Sequence, residues 1–129
     1  MRVITFNANG IRSAARKGFF DWLAGQNADV VCIQETKAQE HQLPPEVYHP
    51  ADYHCHYHDA ARKGYSGVAL YARRQPDEAR TGLGWLECDT EGRWLEARFG
   101  NLSVVSLYLP SGSSSPERQA VKFDFMARL

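Results

Sequence analysis

The chain has 129 residues, enough for one ordinary domain with its own core. Hydrophobic residues make up 43% and charged residues 23%, a globular composition rather than a disordered one, and no apolar run approaches the ~20 residues that span a bilayer, so a membrane role is not expected. Lysine plus arginine and aspartate plus glutamate number 15 each, so net charge carries no general nucleic-acid footprint and phosphate binding must come from local clusters such as Arg12, Arg16 and Lys17, Arg62 and Lys63, or Arg73 and Arg74.

The opening "MRVITFNANG" is not a signal peptide, because its apolar stretch is short and no small-residue cleavage site follows. Cys32, Cys55 and Cys88 are an odd and sparse set, which argues against a disulfide framework and for a reducing compartment, the cytoplasm. "VITF" at 3–6 reads as a strand. In "IRSAARKGFFDWLAGQNA", Phe19, Trp22 and Leu23 form one helical stripe, with Ser13 as N-cap and Gly25 at the stop. Asp29 opens a second, fully apolar strand over 30–33, so the start of the chain has the βαβ pattern.

"LPPEVYHP" reads as a loop because of its prolines. "YHCHYH" at 53–58 alternates strictly and predicts a strand with a histidine-rich solvent face over an aromatic core face. That alternation also disfavours zinc, since His54, His56 and His58 share one face and Cys55 lies on the other. "ARKG" at 61–64 reads as a turn, and strands are expected at 65–73, 93–99 and 102–110, the last two joined by a Gly100-Asn101 hairpin turn. Residues 111–116, with a short serine run at 113–115, read as a loop. Ser115 then caps a final helix with Pro116 at its first position and Glu117 in its first turn. Val121, Phe125 and Leu129 form an apolar stripe on it, and no stop signal follows, so the helix is expected to be cut and the chain to be a piece of a longer one.

Asn7 ends the first strand and Glu35 follows the second. In parallel neighbours both side chains emerge at the carboxyl edge, where α/β sheets place ligands. An amide oxygen and a carboxylate suit a hard cation such as Mg²⁺, and Lys37 offers a point charge to a phosphate, although polar strand ends are also ordinary solvated rims. "NANGIR" leads a tight turn into a helix N-terminus that favours anions, with Arg12 adding charge. Tyr108 is either a core residue or a donor to a phosphate oxygen, and periodicity does not decide. Arg93 starts a strand at the same kind of edge, where an exposed charge is the plain alternative.

Four stretches taken together go further. "FNANGIR", "QETKAQ", "KGYSGVALY" and "SLYLPSG", in this order and at these separations, resemble the first half of the exodeoxyribonuclease III family of bacterial abasic-site endonucleases, within the endonuclease/exonuclease/phosphatase superfamily. The resemblance implies an α/β (α+β) fold in which residues 1–129 are the N-terminal part of a single domain, half of a four-layer αββα sandwich with mostly antiparallel sheets. It implies a Mg²⁺-dependent hydrolase, with Mn²⁺ as the alternative metal, acting on double-stranded DNA at abasic sites and 3′ ends. Glu35 resembles the metal-ligand glutamate, Asn7 the asparagine beside it, and Tyr108 the tyrosine that meets the scissile phosphate or positions the nucleophile. Asn9, Arg12, Lys37, Tyr65 and Arg93 match positions near the DNA backbone or the site rim. The family's "GDxN"-like and "SDH"-like motifs do not occur in this sequence. The general base and the remaining metal ligands are therefore expected in an absent C-terminal half, and the 129 residues alone are expected to be inactive. A phosphatase or lipid phosphodiesterase of the same superfamily, or a non-catalytic remnant, are the alternatives.

Overall fold

The computed structural model describes residues 1–111 and 115–129; the serine run read as part of a loop lies mostly outside the described residues. Strands β1 (Val3–Asn7) and β2 (Val30–Gln34) pair in parallel, with Val3 opposite Val30 and Asn7 opposite Gln34. The crossover between them is two short helices, α1 (Ile11–Arg16) and α2 (Phe19–Ala24), not one. The break falls at Gly18, whose φ of 94° places it in the left-handed region that ends a helix. Ser13 is inside α1 and not its cap; Gly10, with φ of 99°, holds that place. Of the expected stripe, Phe19 and Leu23 are buried, whereas Trp22 is 48% exposed.

A 3₁₀ turn at Glu40–Gln42 and helix α3 (Pro45–Tyr48) follow. The prolines start α3 rather than forbid it, because Pro45 sits at N1, where its missing N–H has no partner to lose. Strands β3 (His54–His58) and β4 (Val68–Ala72) complete the first sheet, in the order β1-β2-β4-β3. The second sheet, β5-β6-β7, consists of β5 (Glu78–Thr81), β6 (Trp94–Phe99) and β7 (Leu102–Leu107), all antiparallel. The β6–β7 hairpin turns at Gly100, with φ of 61° and Phe99 opposite Leu102. Helix α4 (Leu86–Thr90) precedes β6, and α5 (Pro116–Arg128) ends the described chain.

Alternation within the strands sets the layers. Val31, Ile33, Ala69 and Tyr71 face the helices and meet Ile11, Phe19 and Leu23, while Val30, Cys32, Val68, Leu70 and Ala72 face Leu95, Ala97 and Phe99 of the second sheet. This is why β2 reads as unbroken apolar sequence: both its faces are covered. The histidine face of β3 also looks toward the second sheet, so His56 and His58 are half-buried instead of solvated, and His58 Nδ1 lies 2.8 Å from the Trp94 carbonyl oxygen. In the α5 stripe, Phe125 is buried against Trp85 with ring centroids 4.6 Å apart, and Val121 and Leu129 remain exposed. The molecule is thus a mixed α/β fold of two packed, mostly antiparallel sheets. Since β2 packs over β7 and β4 over β6, strands β1 and β7 lie on the same side of the sandwich.

Candidate active site

At the carboxyl ends of β1 and β2, three loops are sewn together by their backbones. Gly10 N–H donates to the Glu35 carbonyl (2.8 Å) and Ile11 N–H to the Thr36 carbonyl (2.9 Å). Thr36 N–H donates to the Gly67 carbonyl (3.1 Å) and Lys37 N–H to the Ser66 carbonyl (2.9 Å). The same bonds engage the N–H groups of Gly10 and Ile11, the first two that open α1. Holding these loops so close requires left-handed backbone at Asn9, Glu35, Lys37 and Ser66, with φ of 44°, 55°, 51° and 50°. Such strain gathers where the surrounding structure must fix side chains in place.

The side chains converge in a short chain of contacts. Asn7 Nδ2 donates to Glu35 Oε1 (3.0 Å), and Asn7 Oδ1 accepts from the Asn9 N–H (3.0 Å). Lys37 Nζ donates to Asn9 Oδ1 (2.7 Å) and stands 3.4 Å from Glu35 Oε2. Tyr108, just past β7, brings its hydroxyl to Glu35 from the second sheet. Burial alone would raise the Glu35 pKa, but the bonds from Asn7 and Tyr108 and the Lys37 charge outweigh it, so the carboxyl titrates below its usual range and is ionised at neutral pH. Burial, then the bond to Glu35, pushes the Tyr108 hydroxyl up to about 12, so it stays a donor.

These placements sort the expected residues. Asn7, Asn9, Glu35, Lys37 and Tyr108 meet in one patch. Arg12 is exposed on the first turn of α1, with no part in that network. Tyr65 is half-buried, its hydroxyl donating toward Glu91 Oε2 (3.4 Å) with the Arg62 guanidinium 5.3 Å from its ring centre. Arg93 is not the exposed charge of its plain alternative: it is 1% exposed, because Glu91, Tyr65 and Tyr108 take up its guanidinium. Arg73 and Arg74 lie past the far end of β4, away from the site. Glu91 and the buried Thr36 and Ser66 were not legible as site residues, since none stands in a pattern that separates it from an ordinary turn residue. A groove of about 490 Å³ opens beside the loop after β1, floored by the stacked rings of Phe6 and Phe19 and edged by Asn9, Ser13 and Lys17.

Among the described residues no group of three or more His, Cys, Asp and Glu is placed to hold a metal ion, and no helix is long and apolar enough to cross a membrane. The patch itself supplies one ionised carboxylate oxygen and neutral oxygens around it. That fits part of a Mg²⁺ site, since this ion commonly takes one or two carboxylates and keeps several waters.

The model of the endonuclease/exonuclease/phosphatase family matches residues 4–128. An exodeoxyribonuclease of Bacillus subtilis is 38% identical over 119 residues, covering 92% of this chain and 46% of that protein. Among solved structures, an AP endonuclease from Archaeoglobus fulgidus superposes with a TM-score of 0.81 at 29% identity, covering 99% of this chain and 49% of its own. A 3′ phosphatase from Neisseria bound to a product DNA hairpin gives 0.79 at 25% identity, covering 99% and 49%. The chain spans about half the length of the curated relatives it matches.

Proposed function

Because the chain belongs to the endonuclease/exonuclease/phosphatase family, we propose that it supplies the first half of a metal-dependent DNA repair nuclease that hydrolyses phosphodiesters at abasic sites and 3′ ends. The observation that carries this reading is the Asn7–Glu35–Tyr108 contact chain, built across two sheets and held by strained loops at a sheet edge. Glu35 would hold Mg²⁺ through its free carboxylate lone pairs, and when bound the ion supplies charge stabilisation for a phosphodiester transition state. Asn7 fixes the carboxylate's orientation by donating to Oε1. Lys37, tied to Asn9, sets a positive charge beside Glu35 that a phosphate can meet. Tyr108 keeps its proton and donates it as a hydrogen bond to Glu35, a bond it can exchange for one to a phosphate oxygen.

The "GDxN"-like and "SDH"-like motifs, which the resemblance assigns to the general base and the remaining metal ligands, do not occur in this sequence, so the 129 residues alone should not cleave. Coverage of about half of each relative supports the same reading. The test is a chimera that joins this chain to the remainder of the Bacillus subtilis exodeoxyribonuclease, assayed on a duplex with one abasic site while Mg²⁺ is titrated. The chimera should cleave, and Glu35→Ala should lower its rate by roughly a hundredfold or more. A folded chimera that leaves DNA intact, or one indifferent to Glu35→Ala, would overturn the reading. Release of phosphate from small phosphomonoesters in place of DNA would favour the phosphatase branch of the family.

A further inference from the structure

Among the described residues, Arg93 is the largest fully buried side chain. Removing a guanidinium from water costs several kcal/mol unless its charge and its donors are all matched, so its surroundings need a reason. Three of its five N–H donors are taken up in a fork, and Glu91 matches its charge. Nε donates to Glu91 Oε1 (2.8 Å), Nη1 to the Tyr108 carbonyl (3.1 Å) and Nη2 to the Tyr65 hydroxyl (3.0 Å). The guanidinium carbon also lies 4.9 Å from the Tyr108 ring centre, 5.9 Å from that of Tyr65 and 6.0 Å from that of Phe125. Residue 93 grips Tyr108 a further time through the backbone, where Tyr108 N–H donates to the Arg93 carbonyl (3.0 Å).

The two tyrosines belong to different sheets. Tyr65 leads into β4 of the first and Tyr108 leaves β7 of the second. Tyr65 is followed by Ser66 and Gly67, whose carbonyls bind the backbone of Lys37 and Thr36, and Glu35 in turn meets Tyr108. The contacts therefore close a circuit: the Glu35 loop, the Tyr65 loop, Arg93, Tyr108, and back to Glu35. We propose that Arg93, anchored by Glu91, is a positioning residue that sets the Tyr108 hydroxyl against Glu35 and fixes the Tyr65 ring beside it. Its side-chain hydrogen bonds go to Glu91, Tyr65 and Tyr108 and not to Glu35, so it acts through both tyrosines. A lysine would keep the charge but lacks the planar fork that reaches three partners at once. This inference rests on the reading of Glu35 and Tyr108 as the working groups.

The test needs neither metal nor DNA. The chain carries six tyrosines, and 3-fluorotyrosine labelling of the full 129 residues gives each one a ¹⁹F resonance, assigned by its Tyr→Phe variant. Arg93→Lys should move the Tyr65 and Tyr108 resonances together and leave those of Tyr48, Tyr57 and Tyr71, which share a separate buried cluster, in place. In the native background Glu35→Gln should shift Tyr108; in the Arg93→Lys background that response should be lost. A residue that only stabilised the fold would leave the response intact, and that result, or an unmoved Tyr108, would overturn the proposal. If Arg93→Lys does not fold, with all six resonances collapsed, Glu91→Gln decides by the same two readings. Since the readout uses no catalysis, an inactive chimera would sink the nuclease reading while leaving this circuit standing or fallen on its own evidence.

Discussion

Thr36 shows how tightly the site loops are closed. Its side chain is wholly buried, and a Cβ placed on Gly67 would sit 2.3 Å from its Oγ1. Gly67 also has φ of 84°, which side chains resist. Gly67→Ala should therefore cost about 2–4 kcal/mol, part clash and part backbone strain. Urea unfolding of the variant, and of Gly67→Ala with Thr36→Ala, separates the parts: the second change should recover the clash and leave about 1 kcal/mol. Equal stability of Gly67→Ala and native protein would mean the loops are looser than this contact requires. The charge of Glu35 makes a second prediction. Its folded pKa lies below the unfolded value of 4.5, so ionisation favours the folded state above that value, and the advantage fades as pH falls through the folded pKa. Glu35→Gln should thus be less stable than native protein at neutral pH, with the gap narrowing below about pH 4.5. Denaturation midpoints measured across that range check it, and a gap that widens on acidification would contradict the assignment. The sequence could place Asn7 and Glu35 at one edge because strand ends can be counted. It could not show that Asn7 engages both its amide atoms in holding Glu35 and the Asn9 turn, since that depends on backbone angles at Asn9 and Glu35 that no residue pattern prescribes.

Helix α5 is held at its start and near its end. Ser115 Oγ accepts from the Arg118 N–H (3.1 Å), the bond expected of an N-cap, and Phe125 packs on Trp85. Ser115→Ala should cost ~1 kcal/mol of helix stability and Phe125→Ala about 3 kcal/mol. The second change should also expose Trp85, whose emission would shift to the red; an unshifted spectrum would mean α5 is not docked there. The cap, the β6–β7 hairpin and the parallel β1–β2 pair were legible because each rests on a local signal: a Ser-Pro start, a Gly-Asn turn, an apolar run after a helical stripe. What was not legible rests on distant partners. Strand β5 reads Glu78, Ala79, Arg80, Thr81, with no apolar alternation, and exists because β6 pairs with it. For Arg93 the sequence left a site-rim residue or an exposed charge, because a charged residue at a strand start is usually exposed; only the arrival of Glu91, Tyr65 and Tyr108 makes its burial tolerable. The histidine face of β3 has the predicted alternation, yet alternation cannot say whether the second face meets water or another sheet.

At the scale of the whole molecule, the two sides of the sandwich differ in charge. On one side the edge strand β5 carries Glu78 and Arg80, and β3 carries three histidines, the kind of polar edge that discourages further pairing. On the other side β1, "VITFN", and β7, "LSVVSL", are both edges among the described residues and contain no charge at all. The first sheet also overhangs the second there, because β2 and not β1 lies over β7, so Val3 is left 48% exposed on the inner face of β1. Open ladders flanked by apolar side chains are templates for another strand. The site residues Asn7 and Tyr108 stand at the ends of these same two strands. The 129-residue chain alone should accordingly self-associate. Sedimentation velocity over a concentration series should show a rising mean mass, and Val3→Lys, which puts a charge on the open face, should weaken association by about tenfold, ~1.4 kcal/mol. Fusion to the remainder of a family member should abolish it by filling the same edges. A chain that sediments as a monomer at every concentration, with unprotected β1 and β7 amides in hydrogen exchange, would show that these edges tolerate water and that the uncharged strands have some other cause.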